Sequence, residues 1–212
     1  VLYLLQHQPY EVTSSVDGLT IKPLTDYHKE RLMEFTIKPL SIIVAVDQGL
    51  GFGYQGEIPW KTEPFAKTDF KHFQQTTKDS VCIMGRNTYQ EILDMTLTRK
   101  TKEEIDSILP GRICYVISRN KNLEVVGATV VQNLRSAIQN EQNGDKEIFV
   151  IGGEKLFVEA LSWTDTIYMT VVKNYYKCDR VFPAAYLDQH FTIVDGTQTD
   201  DLHFLTYKRT KR

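Results

Sequence analysis

Cysteine is scarce: Cys82, Cys114 and Cys178 stand far apart, with no CxxC pair among them. An odd, scattered set excludes a disulfide scaffold and a zinc knuckle, no metal is implied, and the set fits a reducing compartment. Long apolar runs are missing too, and none approaches the ~20 residues that a membrane-spanning helix needs. The opening Val1-Leu2-Tyr3-Leu4-Leu5 is too short for a signal-peptide core and lacks a basic flank. A cytoplasmic protein with no membrane partner is therefore expected. Neither charge is in excess: 25 Lys and Arg stand against 27 Asp and Glu, a net charge of −2. Without a basic surplus to neutralise phosphates, nucleic acid is not expected as the main partner. What the 212 residues do contain is 42% hydrophobic and 25% charged side chains, enough for one globular domain with a core.

Residues 1–38 read as an N-terminal extension of unknown role. They hold a turn at Ser14-Ser15-Val16-Asp17-Gly18 and a helix-like stretch from Asp26 to Phe35 that Thr25 or Asp26 would cap. Nothing in them carries chemistry. Leu2, Leu4, Leu5, Leu32 and Phe35 are too many apolar side chains for a solvated tail, so the extension is expected to dock on the domain or on a partner.

Residues 39–212 read as the domain proper. Ser41-Ile42-Ile43-Val44-Ala45-Val46 is a continuous apolar run, the mark of a strand buried on both faces. Further strands are expected at Val81–Met84, Ile113–Ile117, Val125–Val131, Glu147–Ile151 and Thr166–Val172. Helices are expected at Ala66–Thr77, Asn87–Leu93, Leu134–Glu141 and Glu154–Leu161. His190–Val194 and Leu202–Lys208 suggest an antiparallel pair. The polar stretch Asp94–Ser107 reads as a surface insertion with a short helix at Lys102–Asp106. The fold class is α/β: a single domain with a mostly parallel central sheet, an antiparallel C-terminal edge and helices on both faces.

Several motifs bear on chemistry. Gly51-Phe52-Gly53-Tyr54-Gln55-Gly56 matches GxGxxG after a strand, but Pro59 keeps Ile58 out of the helical region, so no helix opens to hold a pyrophosphate. The loop is then either a mobile connection or a lid. Asp69 shares a helix face with Phe73, either solvated at its border or a lone carboxylate in an apolar pocket. Gly85-Arg86-Asn87-Thr88 and Gly152-Gly153-Glu154 each join a strand to a helix start, which is either an ordinary turn or an anion site. Pro110-Gly111-Arg112 delivers a guanidinium that is either a surface group or a carboxylate clamp. Ser118-Arg119, at a strand end, suits a phosphate monoester.

The ordered set resembles the dihydrofolate reductase family from residue 40 to the end. It runs Ile43-Val44-Ala45-Val46, Gly51-Phe52-Gly53, Pro59-Trp60, Asp69-Phe70, Phe73, Met84-Gly85-Arg86-Asn87-Thr88, Leu109-Pro110-Gly111-Arg112, Ser118-Arg119, Ile151-Gly152-Gly153, Thr170, Asp179 and Phe182-Pro183. The resemblance implies reduction of 7,8-dihydrofolate by hydride transfer from NADPH to pterin C6, with a proton to N5. It implies a catalytic set of Asp69, Trp60 and Thr170, in which Thr170 steadies Asp69 and Trp60 holds a water. Substrate would meet Ile43, Val44, Asp69, Phe70, Phe73, Ile92, Ile151 and Thr170, with Arg112 on its glutamate carboxylate. The cofactor would meet Ala45, Leu50, Gly53, Ile58, Gly85, Arg86, Asn87, Thr88, Ser118, Arg119, Gly152, Gly153, Glu154, Lys155, Leu156 and Phe157. In the family Gly152-Gly153 is a cis peptide, and Ser118 with Arg119 at the 2′-phosphate implies NADPH over NADH. Antifolates are expected to compete, and a monomer is expected.

The chain also departs from the family pattern. Phe157 stands where the family commonly has Tyr, and the stretches Lys61–Thr68 and Asp94–Ile108 are longer than usual. A pyrimidine reductase of riboflavin synthesis shares the architecture but lacks the pairing of Pro59-Trp60 with a helix Asp. A non-catalytic, reductase-like module is the other alternative.

Overall fold

The computed structural model describes residues 10–15, 18–23, 38–120 and 122–210. The chain divides into two compact units, Val1–Ile37 and Lys38–Arg212. In the first, β1 (Tyr10–Ser15) and β2 (Gly18–Pro23) pair antiparallel with Ser15 opposite Gly18, where the sequence places its turn. The helix expected from Asp26 to Phe35 lies outside the described residues.

The second unit is built on an eight-stranded sheet in the order β11-β12-β9-β3-β8-β5-β6-β7. Its strands are β3 (Leu40–Asp47), β5 (Val81–Gly85), β6 (Ile113–Ile117), β7 (Thr129–Val131), β8 (Ile148–Gly152), β9 (Thr164–Val172), β11 (Phe191–Gln198) and β12 (Leu202–Arg209). Neighbours from β9 to β7 pair parallel, and β12 runs antiparallel to both β9 and β11. The expected architecture is met. The helices are α1 (Ala66–Thr76), α2 (Arg86–Leu97), α3 (Leu134–Asn140), α4 (Glu154–Leu161) and α5 (Ala184–His190).

Strand alternation divides the core into two sides. Leu40, Ile42, Val44 and Val46 of β3 join Val81, Ile83, Tyr115, Ile148 and Val150 in the larger core, which α3, α4 and α5 cover. Cys82, Met84, Cys114 and Val116 face the other way, under Tyr89 and Leu93 of α2. Burial pushes the Cys82 thiol up to about 12, so it acts as a small apolar group rather than a nucleophile.

Several boundaries differ from the sequence reading. The expected strand Val125–Val131 shrinks to Thr129–Val131, because Tyr89 Oη bonds both the N–H and the C=O of Val126 (2.6 and 3.2 Å) and Gly127 turns left-handed at φ 65°. Helix α2 runs one turn past Leu93, to Leu97. The stretch Asp94–Ser107 is not merely a surface insertion. Its short 3-10 turn, Lys102–Glu104, leads to Ile105 and Ile108, both buried in the second core. Helix α5 and a small antiparallel pair, β4 (Gly51–Gly53) with β10 (Arg180–Val181), were not expected.

Candidate active site

The chain leaves β3 to lay down β5, β6 and β7 on one side, returns to insert β8, then crosses to β9. Open parallel sheets bind ligands at the carboxyl ends of strands, where connections diverge like this. On the α2 side of the sheet the cover is incomplete. None of the α1 side chains is fully buried, although the helix is amphipathic. Phe70 is 53% exposed and stacks with Phe73 at a centroid distance of 6.3 Å. Partly buried Phe73, Ile92 and Ile151 pack against the second core. Ile43 and Ala45 share the β3 face opposite the larger core. Apolar side chains left half covered between a helix and a sheet are the usual lining of a ligand cleft, and this region is the candidate one.

One carboxylate stands in that cleft. Asp69 projects from α1 half-buried, and Thr170, buried on β9 and paired with Ala45 of β3, hydrogen-bonds its carboxyl. Burial pushes its pKa above the ordinary carboxylate value, and the Thr170 hydroxyl pulls it partway back. The reading of Asp69 as a solvated border residue is set aside.

Trp60 is 1% exposed and packs in a small cluster with Val172, Leu202, Ala45 and Phe65, its ring 5.4 Å from Tyr176. Its Nε1–H is buried with no acceptor among the described residues. A buried donor of this kind calls for an oxygen from water or ligand.

Arg112 lies against the far end of α1. Its Nε donates to Thr77 Oγ1 (2.8 Å), one terminal nitrogen to Pro110 O (2.7 Å) and the other to Gln74 O (2.6 Å). The guanidinium also sits 5.9 Å from the Phe73 ring. Three of its five N–H groups are thus used in holding the plane, and two are left without a partner among the described residues. Gln74 and Thr77 escaped the sequence reading, since a backbone carbonyl and a helix-end Thr give no motif.

Two glycine junctions meet at the other end of the cleft. A Cβ on Gly85 would lie 3.6 Å from Gly153 N and 3.8 Å from Gly152 O. Thr88 Oγ1 lies 3.0 Å from where Gly152 would carry a Cβ, and the Gly152-Gly153 peptide is cis. Helices α2 and α4 start here, and neither has a side-chain cap. Arg86 and Asn87 are exposed at one start; half-buried Glu154 and exposed Lys155 stand at the other. Ser118 and Arg119 follow Ile117, which pairs with Gly85, so they stand beside the same junction.

Some expected residues turn elsewhere. The side chains of Val44, Leu156 and Phe157 are buried in the larger core. Phe157 packs edge-on to Phe52 and Phe182 at 5.6 and 5.8 Å, and its ring tip comes near Gly152. Leu50 is partly buried against the same core, and Ile58 is 45% exposed. A separate cavity of about 440 Å³ opens between α2, Lys102 and Leu123-Glu124, and it shares only Arg86 and Asn87 with the expected cofactor residues.

The glycine-rich loop is a hydrogen-bonded turn. Gln55 and Gly56 are both left-handed (φ 52° and 87°), and Tyr54 and Glu57 exchange N–H to C=O bonds of 2.9 and 3.0 Å. Asp179 Oδ2 accepts Gln55 N–H at 2.8 Å, and Asp179 N–H donates to Gly53 O at 2.9 Å. No helix follows it, as Pro59 requires.

Comparison with known proteins agrees with this geometry. The family model described as dihydrofolate reductase matches residues 39–97 and 93–209. The chain is 25% identical over 178 residues to the dihydrofolate reductase of Staphylococcus haemolyticus, covering 81% of this chain and 96% of that one. It is 28% identical to the Bacillus subtilis (strain 168) enzyme, over 80% of this chain and 94% of that one. It is 32% identical to the type 9 dihydrofolate reductase of Escherichia coli, over 63% and 70%. Among solved structures, dihydrofolate reductase from Enterococcus faecalis, complexed with NADP(H) and RAB-propyl, superposes with a TM-score of 0.65 at 22% identity, covering 82% of this chain and 97% of that one. With the family model spanning nearly all of Lys38–Arg212, this chain belongs to the dihydrofolate reductase family.

Proposed function

We propose that the chain is an NADPH-dependent reductase that converts 7,8-dihydrofolate to 5,6,7,8-tetrahydrofolate. The observation that carries this reading is the desolvated Asp69 carboxylate, steadied by Thr170 in an apolar cleft. A lone anion in that setting suits a flat, cationic, amidine-like ring edge, which the protonated pterin offers. Asp69 bonds the ring N–H and 2-amino group and raises the basicity of N5. Water brings the proton to N5, and Trp60 Nε1–H, a buried donor with no acceptor among the described residues, orients it. Ile43, Ile92 and Ile151 line the pterin pocket with Phe70 and Phe73, and Arg112 takes the glutamate carboxylate on its remaining N–H groups.

The residues present also fit NADPH. Two helix starts without side-chain caps meet at Gly85 and Gly152-Gly153, where main chain comes close to main chain and first-turn N–H groups are left for an anion. Arg86, Asn87, Thr88 and Lys155 surround that junction, and Ser118 with Arg119 suits a 2′-phosphate. Ala45, Leu50, Gly53 and Ile58 border the nicotinamide end. Glu154, Leu156 and Phe157 contribute through the α4 start. When bound, NADPH supplies the hydride; the chain orients both partners and excludes water.

The chain works as a cytoplasmic monomer, inhibited by antifolates in competition with dihydrofolate. No helix among the described residues is long and apolar enough to cross a membrane. We infer that residues 1–38 are an appendage that docks on the domain or on a partner; Leu2, Leu4, Leu5, Leu32 and Phe35, which motivate this, lie outside the described residues. The test is NADPH oxidation by the purified chain with dihydrofolate, run beside the pyrimidine substrate of riboflavin synthesis. Turnover with dihydrofolate alone supports the reading; turnover with the pyrimidine alone, or with neither, refutes it.

A further inference from the structure

Asp47 ends β3 with its carboxylate buried at 2% exposure, and it belongs to neither the pterin cleft nor the glycine junctions. Among the described residues, every bond it accepts is from a neutral donor. Oδ1 accepts the N–H groups of Gly49 and Gly51, both at 2.8 Å. Oδ2 accepts Tyr176 N–H at 2.8 Å and, more loosely, Cys178 Sγ–H at 3.9 Å. The main-chain oxygen of Asp47 accepts Leu50 N–H at 3.0 Å. Three consecutive N–H groups, from Gly49 to Gly51, therefore converge on one residue.

Leu50 is left-handed at φ 61°, a conformation that bulky L side chains avoid. Such a residue persists only where its surroundings over-determine it. Here the N–H groups on both sides of Leu50 are clamped by one oxygen, and its own carbonyl accepts Phe182 N–H at 2.8 Å. The second carboxylate oxygen holds the facing segment. The two segments also touch directly, because a Cβ on Gly51 would lie 2.6 Å from Cys178 Sγ. Two residues further along, Gly53 O and Gln55 N–H are bonded by Asp179. The loop that carries Leu50, Gly53 and Ile58 is thus pinned at its root by Asp47.

We propose that Asp47 is a positioning residue for hydride transfer: its charge fixes the Gly49–Gly53 loop against Tyr176–Arg180 and so sets where Leu50 and Gly53 stand beside the nicotinamide. The inference rests on the reductase reading above. Charged acceptors make hydrogen bonds roughly twice as strong as neutral ones, which suits a hub that must hold two segments at once. Asp47→Asn separates its two arms. The Asn oxygen still serves Gly49 and Gly51, while its NH₂ group faces the Tyr176 N–H, donor against donor.

The experiment measures single-turnover hydride transfer at saturating NADPH and dihydrofolate, dihydrofolate Kd, and amide hydrogen exchange, in wild type, Asp47→Asn and Asp47→Ala. The expected result for Asp47→Ala is hydride transfer at least about tenfold slower and exchange at Gly51 and Gln55 at least about tenfold faster, with dihydrofolate Kd within about threefold of wild type. Asp47→Asn falls between the two. Hydride transfer within about twofold of wild type, with only thermal stability lowered, overturns the proposal, as does a Kd that worsens in step with the rate. Should Asp47→Ala not fold, Asp47→Asn is held to the same directions. A wild-type chain that does not turn over dihydrofolate defeats the reductase reading instead. In that event, unchanged exchange in Asp47→Asn still overturns the loop-fixing role, and accelerated exchange supports it.

Discussion

Thr170, on β9, hydrogen-bonds the carboxylate of Asp69, on α1, across the gap between sheet and helix, and it works against the effect of burial there. Burial is the larger effect, so the folded-state pKa of Asp69 is raised. A group whose folded pKa is raised adds stability at acid pH, below its unfolded value, and that contribution is lost as pH rises through the folded value. At neutral pH Asp69 therefore costs the ligand-free protein stability. Asp69→Asn has no such dependence. The variant is expected to be more stable than wild type at pH 7, by roughly 0.5–2 kcal/mol, the usual gain from relieving a functional site. The gain should vanish as pH falls below the ordinary carboxylate range. Thermal melts of both proteins across pH check it, and a gain that grows toward acid contradicts the burial assignment.

In the proposed reading, Arg112 separates tail recognition from ring recognition. Arg112→Leu removes the charged partner for a substrate carboxylate, a contact worth roughly 1.5–3 kcal/mol, so KM for dihydrofolate should rise about ten- to a hundredfold. A pterin substrate without the glutamate should be turned over within about threefold of wild type. The variant also loses the bonds to Thr77, Pro110 and Gln74, so its Tm should fall. Steady-state kinetics with the two substrates decide the matter.

Cofactor preference should rest on Ser118 and Arg119, at the end of the strand beside Gly85. Arg119→Ala is expected to cut the ratio of kcat/KM for NADPH over NADH about ten- to a hundredfold. If the ratio holds, Arg86 or Lys155 carries the selectivity.

The parallel sheet was legible because its strands are buried on both faces and so read as unbroken apolar runs, Ser41–Val46 most plainly. Asp69, Arg112 and the glycine junctions were legible only as an ordered set, since each motif alone is an ordinary α/β feature. Other features left no trace because their cause is tertiary. Val126 is withdrawn from its strand by the hydroxyl of Tyr89, 37 residues away in sequence. Ile105 looked like part of a polar insertion until the second core received it. Asp47 follows the apolar run Ser41–Val46 and belongs to no motif, and only folding brings Tyr176 to it.

Deleting residues 1–38 should leave KM for dihydrofolate within about threefold, since less than ~1 kcal/mol of site energy is at stake. Melting temperature or oligomeric state should change, as the proposed docking of the extension requires. Loss of dihydrofolate binding in the truncated chain would mean that the extension completes the site.

The most direct test of the whole account follows the hydride itself. With NADPH deuterated at the transferring position, single-turnover reduction of dihydrofolate should place the label at C6 of tetrahydrofolate, with N5 protonated from solvent. In Asp69→Asn the same transfer at pH 7 should slow by roughly 2–4 kcal/mol in barrier, on the order of thirty- to a thousandfold, and recover toward wild type at low pH, where the pterin arrives protonated. Label absent from C6, or an Asp69→Asn rate equal to wild type at pH 7, contradicts it.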